Sequence, residues 1–211
     1  MTVGIVLAGG RSSRFGRDKL AEPIAGEPLL WRPIRALAAA GCTEIVVVIG
    51  PAGPEPGLPP DVTSVGFARD PEPFGGPLVG LRAGLAAIVP PGSATAASTG
   101  AVATLVVAGD QPTLEPAVLV LLGERIATGA GAAILVDADG HARPLPMALD
   151  ARSGLEASDR LLASGHRRLR DLLDDLGADV IDRAAWSSLD PTGATLADID
   201  EPGDLVDPGP D

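Results

Sequence analysis

Four cationic side chains lie within nine residues near the start of the chain, in a loop that follows a short apolar run. The run, residues 3–7, is rich in β-branched side chains, which predicts a buried strand. Gly9 and Gly10 follow it, and because they lack Cβ atoms the backbone N–H groups there can approach a bound group closely. The cations are Arg11, Arg14, Arg17 and Lys19. Amides at a strand end beside clustered cations favour an anionic ligand, most naturally a polyphosphate.

Lys19 stands out because it is the only lysine among 16 Lys and Arg residues. A compact ammonium binds a phosphate oxygen differently from a guanidinium, so the position is either a phosphate contact or a remnant of an arginine-rich composition. Leu20 follows Lys19, whereas a P-loop requires Ser or Thr there. The dinucleotide fingerprint G-x-G-x-x-G is also absent, which argues against a P-loop NTPase and a Rossmann dehydrogenase.

Asp110 is a second candidate, because it follows the predicted strand 101–108 almost directly. A carboxylate in this position lies at the carboxyl edge of a parallel sheet, where doubly wound folds bind ligands. Pro112 keeps a simple turn or capping role for the aspartate open. Upstream, Pro77 can open a helix whose N-terminal amides are available to a ligand. Gly80 and Gly84 lie on one face of that helix, where another backbone or a flat base can approach.

The order of apolar runs and breakers predicts alternating strands and helices. Strands are predicted at residues 3–7, 44–49, 62–67, 101–108, 132–136, 143–149 and 178–182, and helices at residues 27–40, 77–85, 114–128 and 165–176. Pro33 lies inside the first helix, so that helix should start later or be kinked. Loops rich in Pro, Gly or Ser are predicted at 50–60 and 90–100. Strand, helix, strand in this spacing indicates a right-handed βαβ unit with parallel strands.

Composition limits the classes of function. A length of 211 residues fits one α/β domain, and a net charge of −12 argues against general nucleic-acid binding. The single cysteine, Cys42, excludes an intramolecular disulfide and a Cys-based metal site and is expected to be buried. With no signal-peptide pattern and no apolar run of about 18 residues, we expect a cytoplasmic protein without membrane association. We expect a monomer or a weak homo-oligomer.

The stretch LAGGRSSRFGRDKL, residues 7–20, resembles the signature L-A-(G/A)-G-x-S-x-R-(M/F)-G-x-x-K of the MobA-like nucleotidyltransferases. The resemblance implies a single domain over residues 1–211 with a Rossmann-like three-layer α/β/α architecture and a mostly parallel sheet, the nucleotidyltransferase or GT-A-like fold. It also implies that the loop wraps a nucleotide triphosphate while Arg14 and Lys19 neutralise its charge.

Three later segments are similar to other motifs of this family. Gly76-Pro77-Leu78 with Asp70 ahead of it resembles the G-P-L-x-G-(L/I) motif, and residues 109–112 resemble G-D-x-P, whose Asp holds Mg²⁺. Residues 143–149 are similar to a segment near the acceptor. Residues 198–205 resemble the closing N-x-N-T-P-E-D-L element, with Asp198 and Asp200 at the two Asn positions. Carboxylates are good magnesium ligands, so Asp200 could complete a site with Asp110.

The resemblance therefore implies three sets of residues. The catalytic set is Arg14, Lys19 and Asp110; the nucleotide-binding set is Leu7, Ala8, Gly9, Gly10, Lys19, Asp70, Gly76, Pro77, Leu78 and Asp110; the metal set is Asp110 and Asp200. His141 and His166 have no Ser or Cys partner, which favours surface roles. The basic run at 166–170 is either a solvated helix face paired with Asp171, Asp174 and Asp175 or a contact to the phosphate or pterin of an acceptor.

The Gly9-Gly10 pair resembles the guanylyltransferase form of the motif, whereas cytidylyltransferases tend to have Ala-Gly. The implied reaction is Mg²⁺-dependent transfer of GMP from GTP to molybdopterin with release of pyrophosphate. Two alternatives stay open: a cytidylyltransferase that uses CTP, and a nucleotide-binding module without turnover. The second arises because Gly50-Pro51 and the two C-terminal aspartates replace Asn residues of the family. The acceptor, the choice of GTP over CTP and the oligomeric state are left open by the sequence.

Overall fold

The computed structural model of the protein describes residues 1–9, 18–73, 75–89, 101–199 and 203. The strands in these ranges are β1 (Thr2–Leu7), β2 (Pro23–Ile24), β3 (Glu27–Pro28), β4 (Glu44–Ile49), β5 (Val65–Arg69), β6 (Ala103–Ala108), β7 (Ala132–Val136), β8 (Ala142–Asp150) and β9 (Asp179–Ile181). The helices are α1 (Trp31–Ala39), α2 (Pro77–Ile88), α3 (Pro116–Ala127), α4 (Ala151–Ala163), α5 (Leu169–Asp175) and α6 (Arg183–Trp186). Two 3-10 turns, Lys19–Ala21 and Ala194–Leu196, also occur.

The central sheet has the strand order β5-β4-β1-β6-β8-β7-β9, and β2 and β3 pair in a separate small hairpin. Among the described strands of the large sheet, only β8 runs antiparallel to its neighbours. From β1 the chain goes first to β4 on one side and later to β6 on the other. The carboxyl ends of β1 and β6 therefore border a topological switch point, the place where open α/β sheets bind their ligands.

Both faces of the sheet are buried, which is why its central strands are nearly continuous apolar runs. Ile5 packs in the cluster that contains side chains of α2, α4 and α5, whereas Val6 packs in the cluster that contains side chains of α1, α3 and Trp186. The alternation follows from the two-residue period of a strand. The result is a three-layer α/β/α arrangement with a mostly parallel sheet, as the sequence predicts. No helix in the described ranges combines the length and the apolarity that a membrane crossing requires.

Three predicted elements begin at least three residues later than the sequence suggests, and one of them is the helix predicted at 165–176, which is α5 at Leu169–Asp175. The first helix begins at Trp31, because Glu27–Pro28 instead pairs with β2 as a hairpin. Pro33 is thus the third helical residue, where its missing N–H removes no intrahelical hydrogen bond. The weak strand expected at 62–67 is β5 at Val65–Arg69. The strands at 44–49 and 132–136 have the predicted bounds, and the loop predicted at 90–100 lies outside the described residues.

Helix α4 was not predicted. Its buried residues are all small, namely Ala151, Gly154, Ala157 and Ser158, and its leucines pack on the core only partly buried. Asp150 caps the helix, because its Oδ1 accepts a hydrogen bond from the Ser153 amide at 2.9 Å. A Cβ at Gly154 would lie 2.7 Å from Leu149 Cδ1, so the small residues let the helix lie close to β8.

Candidate active site at the carboxyl edge of β1 and β6

The residues that follow β1 are held between the ends of the two neighbouring strands. The Ala8 amide donates to the Val48 carbonyl at 2.9 Å, and the Gly109 amide donates to the Leu7 carbonyl at 3.0 Å. A Cβ on Gly9 would meet the Gly50 nitrogen at 3.8 Å, which is ordinary contact. Leu7, Ala8 and Gly9 therefore lie at the switch point. Gly10 and Arg14 lie outside the described residues.

The described chain resumes at Asp18, which caps the turn that carries Lys19. Asp18 Oδ1 accepts from the Leu20 amide at 3.1 Å. The Leu20 side chain packs over the strand ends, because a Cβ on Gly109 would lie 3.2 Å from Leu20 Cδ1 and 3.4 Å from Ala8 Cα. Gly109 is therefore needed for this close packing. The packing places Lys19 at the ends of β1 and β6.

Lys19 and Asp110 form an ion pair at this edge. Lys19 Nζ lies 2.7 Å from Asp110 Oδ2 and 2.6 Å from the carbonyl oxygen of Ile199. The side chains are 15% and 24% exposed, so both remain within reach of a ligand from solvent. Lys19 and Asp110, which were predicted from two separate segments of the sequence, are thus in contact. The Asp110 side chain makes this ion pair in place of the turn or capping role considered for it.

Gln111 and Ile199 belong to the same site but were missed by the sequence analysis. Gln111 is 4% exposed, and its Oε1 accepts from the Ala108 amide at 2.9 Å, which fixes the turn that carries Asp110. The Ile199 amide donates to the Asp110 carbonyl at 3.0 Å. For Gln111 a signal existed, since it directly follows Asp110 in the segment that resembles G-D-x-P. For Ile199 the functional atom is a backbone carbonyl, which no residue type reveals.

Asp70 lies beside the first turns of α2. Its amide donates to the Ile49 carbonyl, and its Oδ1 accepts from the Glu72 amide at 2.9 Å. Asp70 Oδ2 lies 3.5 Å from where a Cβ on Gly80 would be. Gly84, in contrast, serves helix packing, because its Cβ would meet Val48 at 2.9 Å. Of the two glycines, only Gly80 borders a carboxylate.

The start of α2 is hydrogen-bonded to the segment that contains Arg167. The Leu78 amide donates to the Arg167 carbonyl at 3.3 Å, and Pro77 has no N–H to offer. Gly76 has φ 95° and ψ 164°, a region open almost only to glycine. A Cβ on Gly76 would lie 3.0 Å from the Arg167 oxygen. The expectation that these amides are available to a ligand therefore does not hold for Leu78.

A cavity of about 420 Å³ opens next to the turn that carries Asp110. It is lined by Pro77, Ala108, Gln111, Arg143, Pro144, Leu145, Arg168, Leu169, Arg170, Leu196 and Asp198. Three arginines and one aspartate give the wall a net positive charge. Segment 143–149, which the sequence placed near an acceptor, contributes Arg143 through Leu145 to this wall.

Residues 4–180 match the family model of the MobA-like NTP transferase domain. The chain belongs to this family.

Relatives of this MobA-like chain carry consistent names. It is 32% identical over 210 residues, 97% of this chain and 92% of the relative, to a "probable molybdenum cofactor guanylyltransferase" of Chloroflexus aggregans. A protein of the same name from Haloferax mediterranei is 30% identical over 182 residues, 85% of this chain and 80% of the relative. The family predicted from the sequence is confirmed, and the predicted activity agrees with the names of these relatives.

The fold of the MobA-like chain is also that of a solved structure. The molybdopterin-guanine dinucleotide biosynthesis protein A of Archaeoglobus fulgidus superposes with a TM-score of 0.69 at 21% identity, over 97% of this chain and 95% of the other. Together with the sheet order, this likeness confirms the predicted α/β nucleotidyltransferase fold.

Asp110 fits a magnesium ion that a nucleotide brings with it. Mg²⁺ is usually held by one or two carboxylates together with phosphate oxygens, rather than by a complete protein cage. Asp110 supplies one carboxylate at the carboxyl edge of the sheet of this MobA-like domain, beside the Lys19 ammonium. Asp200, the second predicted ligand, lies outside the described residues.

A second group of possible ligands, at the β7–β8 hairpin, serves the turn instead. Ligand atoms of Asp137, Asp139 and His141 lie within 4.8 Å of one another. However, Asp137 Oδ1 already accepts from the amides of Asp139 and His141, at 3.0 and 2.8 Å. The His141 amide is the main cause that lowers the pKa of Asp137. Arg143 Nη1 lies 3.6 Å from Asp137 Oδ2. The hydrogen bonds of Asp137 Oδ1 are those of a hairpin turn between β7 and β8.

The two histidines of the MobA-like domain lie at its surface, and part of the basic run lies beside the cavity. His141 and His166 have side chains that are 76% and 50% exposed, as expected of surface residues. His166 Nδ1 lies 3.1 Å from Asp171 Oδ2, and Arg167 Nη2 lies 3.7 Å from Glu72 Oε2. Asp175 pairs with Arg160 of α4 at 2.8 Å. Because Arg168 and Arg170 line the cavity, the run is not simply a solvated helix face.

Proposed function

We propose that the protein is a Mg²⁺-dependent molybdenum cofactor guanylyltransferase that transfers GMP from GTP to molybdopterin. The observation that carries the proposal is the contact of Lys19 with Asp110 at the β1–β6 switch point, directly beside the arginine-lined cavity. In the reaction, an acceptor phosphate oxygen attacks the α-phosphorus of GTP. A new P–O bond forms, the bond between the α-phosphorus and its bridging oxygen breaks, and pyrophosphate leaves.

The protein's own contribution is positioning and charge neutralisation. We assign the triphosphate to the backbone of Leu7, Ala8, Gly9 and Gly10 and to the cations Arg14 and Lys19. The assignment is supported by the place of residues 7–9 between two strand ends and of Lys19 across them. Bound Mg²⁺ supplies charge stabilisation on the phosphates, and we assign its protein ligands to Asp110 and Asp200.

Asp70 is proposed to recognise the base. Guanine presents two adjacent donors, its ring N1–H and its exocyclic amino group, and a carboxylate can accept both. Asp70 is suited to this role because its carboxylate lies over Gly80, where no side chain separates it from a flat ring. Gly76, Pro77 and Leu78 complete the nucleotide wall in this proposal. We assign their contact with the nucleotide to the surface of the turn, because the Leu78 amide already donates to the Arg167 carbonyl.

The acceptor is proposed to occupy the cavity. Its volume of about 420 Å³ lies in the range of small-molecule sites. Arg143, Arg168 and Arg170 suit the phosphate of a molybdopterin-type acceptor, and Pro144 and Leu145 offer apolar surface to its ring system. GTP and Mg²⁺ are cytoplasmic solutes, so we propose that the protein acts in the cytoplasm, as a monomer or weak homo-oligomer.

Calorimetric titration with GTP and CTP in the presence of Mg²⁺, followed by measurement of pyrophosphate release with molybdopterin, tests the proposal. We expect GTP to bind at least about tenfold more tightly than CTP. Pyrophosphate release should be lost in Asp110→Ala and Lys19→Ala. Asp159→Ala is the matched control, because it breaks an exposed 2.9 Å pair with Arg82 on α2. Preferential CTP binding would identify a cytidylyltransferase, and binding without turnover a nucleotide-binding module.

A further inference from the structure

The segment 190–199, which we call the C-terminal strap, connects a buried polar turn to the Lys19–Asp110 pair. Its first part is organised by Asp190, which is only 6% exposed. Asp190 Oδ1 accepts from the Gly193 amide at 2.9 Å and from Thr192 Oγ1 at 3.0 Å. Asp190 Oδ2 accepts from the Thr195 amide at 2.8 Å. One carboxylate thus fixes the turn from which the rest of the strap departs.

Arg183 holds the same turn from outside. Its Nη2 donates to the carbonyls of Asp190 and Pro191, and its guanidinium carbon lies 3.9 Å from the ring centre of Trp186. Trp186 is fully buried, so this stack ties the strap to the core.

The middle of the strap is attached to the segment that follows Asp110. Thr195 is fully buried, and its Oγ1 accepts from the Glu115 amide at 3.0 Å. Thr113 Oγ1 donates to the Ala194 carbonyl at 2.6 Å. These side chain to backbone contacts fix the strap against the chain that leaves the Asp110 turn toward α3.

The far end of the strap reaches the two charged residues themselves. Ile199 donates its amide to the Asp110 carbonyl at 3.0 Å and accepts from Lys19 Nζ at 2.6 Å. Its side chain is 3% exposed and packs with Ile24 and Leu29. The Ile199 carbonyl is therefore an acceptor for the Lys19 ammonium beside Asp110, and its location depends on how the strap is held.

We propose that Asp190 and Thr195 are positioning residues for nucleotidyl transfer, which act by fixing the Ile199 carbonyl and with it the Lys19 ammonium against Asp110. Asp190 is nine and Thr195 four residues from Ile199 along the strap, and neither side chain is assigned to the ligand. A displacement of about 1 Å in a catalytic group can cost on the order of a hundredfold in rate. The kinetic part of this inference rests on the proposed function; the effect on Lys19 does not.

The test compares three variants. Thr195→Val removes the hydroxyl that accepts from Glu115, and Thr195→Ser retains it. Thr104→Val is the matched control, because Thr104 is also fully buried and its Oγ1 contacts the Val102 carbonyl at 3.4 Å, toward the amino end of β6. We expect Thr195→Val to lower kcat/KM for GTP about tenfold, and Thr195→Ser to stay within about twofold of wild type. Thr104→Val should change the melting temperature without changing kcat/KM.

A second readout does not depend on turnover. Because Lys19 is the only lysine, biosynthetic labelling with [¹³C,¹⁵N]lysine gives one lysine side-chain signal in the protein. We expect that signal to shift, and the rate of amine modification at Lys19 to change, in Thr195→Val but not in Thr104→Val. If wild type releases no pyrophosphate, the proposed function fails, and the lysine signal still decides the role of the strap.

An unmoved lysine signal in folded Thr195→Val, or an equal kinetic loss in Thr104→Val, would overturn the inference. If Thr195→Val does not fold, Thr113→Val replaces it, since it removes the donor to Ala194 at a less buried position. The same shift of the lysine signal is then expected, and its absence counts against the strap in the same way.

Discussion

Lys19 Nζ and Asp110 Oδ2 lie 2.7 Å apart although 91 positions separate the two residues in the chain. One side chain is suited to a phosphate oxygen and the other to a cation. In the proposed reaction a Mg²⁺–nucleotide would offer each of them its own partner, so we propose that the triphosphate and the metal contact the protein at this pair.

We expect Lys19→Arg to lose most of the activity of the wild type, although the substitution keeps the positive charge. The guanidinium keeps the charge but cannot place a compact ammonium between Asp110 and the Ile199 carbonyl, so we expect kcat/KM for GTP to fall about a hundredfold. Steady-state pyrophosphate release measures this loss. Asp159→Asn, at the exposed pair with Arg82, should be within about twofold of wild type. Activity of Lys19→Arg near that of the control would contradict the role of the ammonium.

Asp70→Asn should weaken the selection of guanine. If the carboxylate accepts from both N1–H and the exocyclic amino group, inosine triphosphate, which lacks that amino group, should bind wild type about tenfold more weakly than GTP. In Asp70→Asn we expect GTP binding to fall and the GTP-to-ITP ratio to approach one. Calorimetric titration of both nucleotides gives the ratio. A ratio that stays unchanged in the variant would place the recognition of the amino group elsewhere.

Gly76→Ala should disturb the acceptor side of the site as well as stability. The substitution strains a backbone at φ 95° and ψ 164° and puts a Cβ 3.0 Å from the Arg167 carbonyl, next to the arginines of the cavity. We expect a loss of about 1–3 kcal/mol in the free energy of unfolding and a raised KM for the acceptor. Denaturant unfolding and steady-state kinetics measure the two effects.

Gly129→Ala is the control for that strain. Gly129 has φ 105°, and a Cβ there would meet nothing within 4 Å, so the variant carries a positive-φ penalty without the contact. We expect it to lose stability while the KM for the acceptor stays unchanged. Equal kinetic effects in the two variants would mean that Gly76 acts only through stability.

The sequence predicted the parts of the molecule whose residue types reveal their role. Strands such as β4 are continuous β-branched runs that only a buried sheet accommodates, and Lys19 and Asp110 carry charge at strand ends. Helix α4 was not predicted from the sequence because its buried residues are all small. The contacts made by the Ile199 carbonyl and the Leu78 amide could not be predicted, because they depend on backbone atoms brought together by tertiary packing.

Cys42 should be chemically inert in the folded protein. The thiol, which the sequence predicts to be buried, is only partly buried, and this partial burial raises its pKa to about 12, so little thiolate is present at pH 8. We expect no measurable iodoacetamide labelling at pH 8 over an hour and complete labelling in denaturant, read by mass spectrometry. Rapid labelling of the native protein would show that the thiol is accessible to the reagent.

The strap should lose part of its stability in acid. Burial alone would raise the pKa of Asp190, but hydrogen bonds from the amide and hydroxyl of Thr195 and from Thr192 outweigh it and hold the pKa below its ordinary value of 3.8. A depressed pKa in the folded state means that the carboxylate contributes stability above pH 3.8, and that this contribution is lost as the pH falls through the folded-state pKa. Asp190→Asn lacks the charge, so the difference in melting temperature between wild type and the variant should be constant from pH 8 to about pH 5 and shrink below about pH 4. A difference that grows toward low pH would mean that the folded-state pKa lies above, not below, the unfolded one.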